Sequence, residues 1–452
     1  MVNDTICAIS TPIGVGGISI IRMSGDKSIE IASKIFKCKN IEVENFEPRK
    51  LYLGTLTTAN FKEKCLAVYF KSPNSYTGED MVEFQCHGGI KLAQGVLQEL
   101  ISFGARIADG GEFTKRAFID GKISLDEAEG VIDVINSESE SQIRAGYNLM
   151  QGKLKTKIIS IQNDLTDCLA KLEVTMDYPE EDLEEETKID IIKTLTDLKT
   201  DLNNLLETSK TGMSIKNGTK LVILGKTNVG KSSLMNSLLN YDRAIVTDIK
   251  GTTRDILEEV FEYKGVKFIL TDTAGIRESE DVVENIGIEK AKKSINDADL
   301  ILFVLDNSQE LTEEDNKIIN LLNGKNNVIV VLNKIDLNKK LDKKGLPFND
   351  FIEISAKNDK NILELKEKIY STIFDQNIIN APILLTNIRH IDILKKALEL
   401  TNIAISTAKS DVNLDLLSLD IKNIWLKIGE ITGETEVEEI INTIFSKFCV
   451  GK

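Results

Sequence analysis

Apolar residues recur along this chain in three rhythms, and each rhythm predicts a different architecture. Over residues 1–118, short alternating or continuous apolar runs predict strands at 5–10, 17–23, 50–57, 65–71 and 81–87. Helical spacing appears near 27–36 and 91–103, and turn residues such as Thr11-Pro12-Ile13-Gly14 and Asp109-Gly110-Gly111 separate the runs. This is a mixed α+β pattern. From 123 to 206 the spacing turns helical. Ile158, Ile161, Leu165, Leu169 and Leu172 repeat at three and four, as do Ile191, Leu195, Leu198, Leu202 and Leu205. Both series read as seams of an antiparallel bundle. Between them, Pro179 and the seven carboxylates of 177–186 break the pattern, and a solvated interhelical loop is preferred there to a metal site.

Residues 217–376 return to α/β alternation, with strands predicted at 220–224, 267–271, 300–305, 328–332 and 351–354. After Ala381-Pro382 the helical spacing resumes through Ile391, Leu394, Leu398 and Ile405, then Leu417, Ile421, Ile424, Trp425 and Ile428. Val437, Ile440, Ile441, Ile444 and Phe448 form the last stripe. Helices on both sides of an α/β block predict that the block is inserted into one helical domain, which is easy when an insert's termini lie close together. The expected organisation is therefore an α+β domain over 1–118, a helical domain split between 119–214 and 378–452, and an α/β domain over 215–377.

Composition narrows the function without naming it. A chain of 452 residues, 42% hydrophobic and 28% charged, has the length and balance of a soluble protein of several domains. Its net charge of −15 opposes non-specific coating of nucleic acid, yet leaves room for a local basic site on a structured RNA. The cysteines at 7, 38, 65, 86, 168 and 449 form no C-x-x-C and no zinc spacing, so free thiols in a reducing compartment are expected. Only His87 and His390 are present, which disfavours histidine-rich metal chemistry. The start has no basic leader and no apolar run reaches membrane-spanning length, so a cytoplasmic location and no membrane partner are expected.

The chemistry concentrates at 225–232, GKTNVGKS, which fits the phosphate-loop pattern G-x-x-x-x-G-K-[ST]. Glycines at both ends let backbone N–H groups converge on phosphates, and the following helix points its N-terminal dipole at them. Lys231 supplies a charge for the β- and γ-phosphates and Ser232 a hydroxyl for Mg²⁺; Asn228, Val229, Gly230 and Ser233 complete the predicted loop. Asp272-Thr273-Ala274-Gly275 follows a strand, where a carboxylate can hold Mg²⁺ through water and Gly275 can meet a γ-phosphate. Asn333-Lys334-Ile335-Asp336 follows another, and Asp336 can accept two hydrogen bonds from guanine where adenine offers no matching donors. Ser355-Ala356-Lys357 adds a backbone N–H for guanine O6. Each motif is weak alone. Four in order, each after a predicted strand, indicate a doubly wound GTPase.

The set resembles the translation-factor-like GTPases, and by that resemblance Gly251-Thr252-Thr253-Arg254-Asp255 is switch I, with Thr253 a second hydroxyl on Mg²⁺. Ras-like proteins place a water-orienting Gln after D-T-A-G. Here that position is Ile276, so another group must orient the water.

The whole chain resembles the MnmE (TrmE) family of tRNA-modification GTPases. The likeness rests on TPIGVGGISIIRMSG, SYTGEDMVEFQCHGG, GEFTKRAFIDGKISLDEAE, TDIKGTTRD and the ending Phe448-Cys449-Val450-Gly451-Lys452. It implies a folate-binding, dimerising front domain in which Arg22, Glu83, Lys122 and Lys452 contact 5-formyl- or 5,10-methylene-tetrahydrofolate. From residue types alone, Arg22 and Glu83 read as surface groups; the resemblance reverses that. Cys449 is either a reactive thiol near the folate or a packed terminal residue, and His87 is unassigned. The resemblance further implies K⁺ held by Asn228, Thr247, Ile249 and Thr252, with Asp248, Lys250 and Gly251 also in the nucleotide-binding switch. Glu284 is implied to orient water, G domains to pair in a homodimer, and an FAD-dependent MnmG (GidA)-type protein to join a heterotetramer acting on tRNA. The competing reading is a ribosome-assembly GTPase of the Era or Der type. It would need a basic RNA-binding appendage, and no KH-type G-x-x-G segment is apparent. A non-catalytic folate scaffold is a third reading, disfavoured by the intact phosphate loop.

Overall fold

A computed structural model describes residues 4–178, 184–240, 258–272, 294–343, 346–410 and 414–452. Contacts divide the chain into two compact units, one drawn from Met1–Ile132, Leu149–Thr194 and Ile403–Lys452, the other from Asp133–Asn148 and Leu195–Asn402.

The chain opens with β1 (Ile6–Ile9), β2 (Gly16–Ser24), α1 (Ser28–Ile35), β3 (Phe36–Cys38), β4 (Leu51–Thr57), β5 (Lys62–Phe70) and β6 (Met81–Gly88). After them come α2 (Ile90–Ser102), β7 (Arg106–Ile107) and α3 (Glu112–Ile119). The strands form one sheet in the order β3-β4-β5-β6-β2-β1-β7, antiparallel except for the β1–β7 pair. Period-two alternation sends Ile21 and Met23 of β2 into a core shared with Ile31 and Ile35 of α1 and Val96 and Leu100 of α2. Arg22, between them, must then face the opposite side of the sheet.

Helices α4 (Leu125–Ile135), α5 (Glu140–Met150), α6 (Lys153–Asp177), α7 (Glu184–Glu207) and α8 (Ser209–Asn217) follow. α6 ends at Asp177 and α7 begins at Glu184; residues 179–183, the centre of the expected interhelical loop, lie outside the described residues. Ile158, Ile161, Leu165 and Leu172 are buried in the α6 seam, but Cys168 is buried where Leu169 was expected, and Leu169 is half-buried. Both choices satisfy the helical period; only packing separates them. Ile191, Leu195, Leu198, Leu202 and Leu205 of α7 are all buried.

The α/β part comprises β8 (Thr219–Leu224), α9 (Lys231–Asn240), β9 (Glu258–Tyr263), β10 (Val266–Asp272), β11 (Leu300–Asp306) and α10 (Glu313–Leu322). It continues with β12 (Val328–Asn333), β13 (Phe351–Glu353), α11 (Ile362–Ile373) and α12 (Gln376–Ile379). The sheet order is β13-β12-β11-β8-β10-β9, parallel throughout except for the β9–β10 pair. Central β8 sends Leu221 and Ile223 into one core and Val222 and Leu224 into another, the mark of a strand covered on both faces. β9 lay outside the sequence-based expectation. Its EEVFEY carries one deeply buried apolar residue, Phe261, because it is an edge strand.

The chain closes with α13 (Ile388–Lys409), α14 (Leu414–Gly429) and α15 (Glu438–Phe445). In α13, Leu394, Ala397, Ala404 and Ala408 are buried, whereas the expected seam residues Leu398 and Ile405 are half-buried. In the last stripe, Phe445 and Phe448 are buried while Val437 and Ile440 are exposed. α14 packs along α6. The architecture is multidomain: an α+β front part, a helical part in two stretches of sequence, and a P-loop α/β part inserted between them. No described helix is long and apolar enough to cross a membrane.

Candidate functional site

Because β8, β10, β11, β12 and β13 run parallel, their carboxyl ends share one edge of the sheet. The strand order places β8 between β10 and β11, so successive crossovers leave β8 in opposite directions there, and a crevice forms at that switch point. The loop 225–230 leaves β8 at this place and runs into α9, whose first residues are Lys231, Ser232 and Ser233. Gly230 has φ +97°, and a Cβ there would lie 2.3 Å from Nδ2 of Asn333. Only glycine fits. Val229 is fully buried, whereas Asn228 (φ 63°), Ser232 and Ser233 are exposed. Lys231 Nζ donates to the carbonyls of Gly225 at 2.9 Å and Lys226 at 2.8 Å.

Asn333 ties three of the motifs together. Its Nδ2 donates to the Val229 carbonyl at 2.8 Å, and its Oδ1 accepts from the N–H of Lys334 at 2.8 Å and of Ala356 at 3.0 Å. Lys334 Nζ donates to the Asn228 carbonyl and to Asp306 Oδ2, each at 2.7 Å. Ser355 Oγ donates to Asp336 Oδ1 at 2.6 Å, and Ser237 Oγ of α9 donates to the Ala356 carbonyl at 2.9 Å. The Ser355 hydrogen bond is the main reason the exposed Asp336 carboxyl is held below its usual range. Burial pushes the Asp306 carboxyl up, but the bonds from Lys334 and Ser308 together bring it below the ordinary range. Asp336 and Lys357 are both exposed, beside the buried Ser355 and Ala356.

Asp272 ends β10, in register with Ile223 of β8. Thr247, Asp248, Ile249, Lys250, Gly251, Thr252, Thr253, Thr273, Ala274, Gly275, Ile276 and Glu284 lie outside the described residues. Lys226, Asp306, Thr312 and Asp315 were missed by sequence reasoning. The T-x-x-D of 312–315 was a readable capping signal, but nothing in the sequence paired it with the phosphate loop.

A second polar constellation lies on the front sheet. Arg22 of β2 and Glu83 of β6 are direct cross-strand neighbours, and Arg22 Nε donates to Glu83 Oε1 at 2.7 Å. The guanidinium lies 5.5 Å from the ring centre of Tyr76 and 5.6 Å from that of Phe113, which shield it from water. The carboxyl-terminal tail returns to this place. Val450 bridges Gly110, the Gly451 carbonyl accepts from Ser10 Oγ at 3.1 Å, and Arg22 approaches the same oxygen at 3.4 Å. A Cβ on Gly451 would lie 2.5 Å from the Ile9 carbonyl, so the chain passes β1 at backbone contact. Burial, and then the Arg22 charge, hold the Lys452 ammonium below its usual range. Arg22 and the Lys452 ammonium, beside Glu83, offer donors that an anionic ligand can accept from.

The structure thus brings Arg22, Glu83 and Lys452 together. It places Lys122 against the Pro73 carbonyl at 2.7 Å, on the β5–β6 connection that also carries Tyr76. Cys449 is exposed, and its carbonyl accepts from the Gly111 N–H at 3.3 Å. His87 is exposed and pairs with Glu63. Among the described residues, no cluster of His, Cys, Asp or Glu is arranged to hold a metal ion.

Comparison with known proteins covers the whole chain. The model described as "GTP-binding protein TrmE N-terminus" matches residues 5–122, and "MnmE helical domain" matches 125–449. Proteins named tRNA modification GTPase MnmE are 43% identical in Clostridioides difficile and 42% identical in Natranaerobius thermophilus and Thermoanaerobacter pseudethanolicus, each over 100% of both chains. The G domain of the T. maritima FeoB iron transporter is 30% identical over 33% of this chain and 96% of its own, with a TM-score of 0.26, too low to bear on the fold. Two family models that together span nearly the whole chain, and full-length identity above two-fifths, agree: the chain belongs to the MnmE family of tRNA modification GTPases.

Proposed function

We propose that this protein hydrolyses GTP and, with an FAD-dependent MnmG (GidA)-type partner, adds an aminomethyl or carboxymethylaminomethyl group to C5 of a tRNA wobble uridine. A tetrahydrofolate supplies the one-carbon unit, and the working form is a cytoplasmic homodimer that joins the partner in a heterotetramer. The domains are a folate-binding and dimerisation domain over 1–118, a helical domain over 119–214 and 378–452, and the GTPase domain over 215–377. One observation carries the GTPase part: the phosphate loop, Asn333 and Ala356 are joined by hydrogen bonds at the switch point of a parallel sheet.

The roles follow the chemistry of each group. Residues 228–233 wrap the phosphates, and Lys231 leaves its loop carbonyls to meet the β- and γ-phosphates. Two of its contacts are to neutral carbonyl oxygens, weaker acceptors for an ammonium than phosphate oxygens. Ser232 and Thr253 hold Mg²⁺, a fit supported by the exposed Ser232 hydroxyl at the first turn of α9. Asp336 and Lys334 select and cover the guanine. Asp248, Lys250, Gly251 and the 272–275 motif surround the γ-phosphate, and Glu284 orients the attacking water in place of Ile276. Asn228, Thr247, Ile249 and Thr252 would hold a potassium ion, which would supply there the positive charge that an arginine finger supplies elsewhere.

In the front domain, Arg22, Lys452 and Lys122 hold the folate carboxylates and Glu83 accepts from its pterin. The donor set fits, because Arg22 and Lys452 can each donate to a carboxylate and Glu83 can accept from a ring N–H. When bound, the folate supplies one carbon at the formyl or methylene level. This chain's own residues bind it, orient it and keep water from Arg22.

Two measurements test the reading. Nucleosides of tRNA from cells lacking this protein should lose the modified wobble uridine while the other modifications persist, and an unchanged profile sinks the assignment. GTP hydrolysis should be faster in K⁺ than in Na⁺ at equal ionic strength, on the order of a thousandfold if the cation replaces an arginine finger. Equal rates remove the cation from the mechanism.

A further inference from the structure

The side chain of Lys226, the first variable residue of the phosphate loop, runs to the N-terminus of α10. There Nζ donates to Asp315 Oδ2 at 2.9 Å and to Thr312 Oγ1 at 3.3 Å. Both partners are buried, Lys226 at 9% exposure and Asp315 at 1%. The same Asp315 oxygen closes the helix cap, accepting from Thr312 N–H at 2.9 Å and Thr312 Oγ1 at 2.7 Å. Its other oxygen, Oδ1, is buried with no hydrogen-bond partner. The carboxylate therefore spends all its bonding on one side, toward Thr312 and the lysine. The other end of Lys226 matters equally, for its backbone carbonyl holds Lys231 Nζ at 2.8 Å. One residue thus joins a buried anchor to the backbone of the phosphate loop, whose carbonyl holds Lys231 in this structure.

Stability alone gives little reason for this arrangement. A helix cap needs no lysine, and a buried ion pair is often no better than an apolar pair of the same size. What the pair adds is direction. A charge-assisted bond between two buried groups fixes where the loop leaves β8, and hence where its carbonyls point.

We infer that Asp315 is a positioning residue for the nucleotide site, acting through Lys226 to hold the phosphate loop in its binding shape. The inference rests on reading 225–232 as the phosphate loop. It is tested on the full chain by titrating GTP into wild type, Asp315→Asn, Lys226→Gln and the double variant, with thermal unfolding measured on each. Both single variants should bind GTP about tenfold or more weakly at a temperature where they are fully folded. The double variant should be no weaker than the poorer single, since both changes cut one link. Unchanged affinity in folded variants, even with a lower Tm, overturns the inference and leaves the pair a structural one. Losses that add in the double variant overturn it too. If Asp315→Asn does not fold, Lys226→Gln, which leaves the α10 capping box in place, decides alone. Wild type that fails to bind GTP overturns the proposed GTPase function instead.

Discussion

Deletion of residues 449–452 should abolish tRNA modification and leave GTP hydrolysis nearly intact, the largest separation of activities expected of this chain. Within its unit, the tail lies along β1 and Gly110, carries the Gly451 carbonyl to Arg22, and sets the Lys452 ammonium beside the same guanidinium. Removing it takes one of the two cations from the candidate folate place and opens Arg22 to water. The phosphate loop, by contrast, draws its contacts from Asn333, Lys334 and α10, all of the other unit. Folding of the front sheet should survive, because Phe445 and Phe448 remain in their cluster with Leu125 and Ala128. The check is modified nucleoside content and GTP turnover measured on the same preparation. A proportional loss of both would assign the tail to folding rather than to the one-carbon chemistry.

Asp336→Asn should exchange the preferred nucleotide. Asp336 is exposed at the carboxyl edge of the sheet, held by Ser355 Oγ in a state that favours the anion. In that state it would accept from the N1–H and exocyclic amine of guanine, the role proposed for it. An asparagine keeps one acceptor but presents an amine where guanine also presents one, so GTP affinity should fall on the order of a hundredfold or more. Xanthine carries an oxygen at that place and accepts from the new amide, so affinity for XTP should rise in parallel. Competition binding with GTP and XTP on both proteins decides it. The same order of preference in wild type and variant would take base selection away from Asp336.

Much of this protein was legible in its sequence because its signals are local. A parallel strand covered on both faces reads as a continuous apolar run, and a phosphate loop reads as two glycines and a lysine at fixed spacing. The strands that lead into Gly225, Lys334 and Ser355 lie within a residue of where that reasoning puts them. Locality also marks the failures. Cys168 and Leu169 both satisfy a helical period, and only side-chain packing buries one and not the other. The edge strand β9 lacks the apolar run that a covered strand requires, so composition hid it.

The site shows the same division more sharply. Sequence alone determined which residue types stand at which spacing, and so the nucleotide class. Only the tertiary structure decided that Arg22 meets Glu83 across two strands and Gly451 from the far end of the chain, pairings separated by 61 and 429 positions. Likewise, nothing near Lys226 announces a carboxylate 89 positions away. Side chains with ordinary spacing acquire a partner, and with it a function, only when burial makes an unpaired charge costly and strand register leaves one counter-charge within reach.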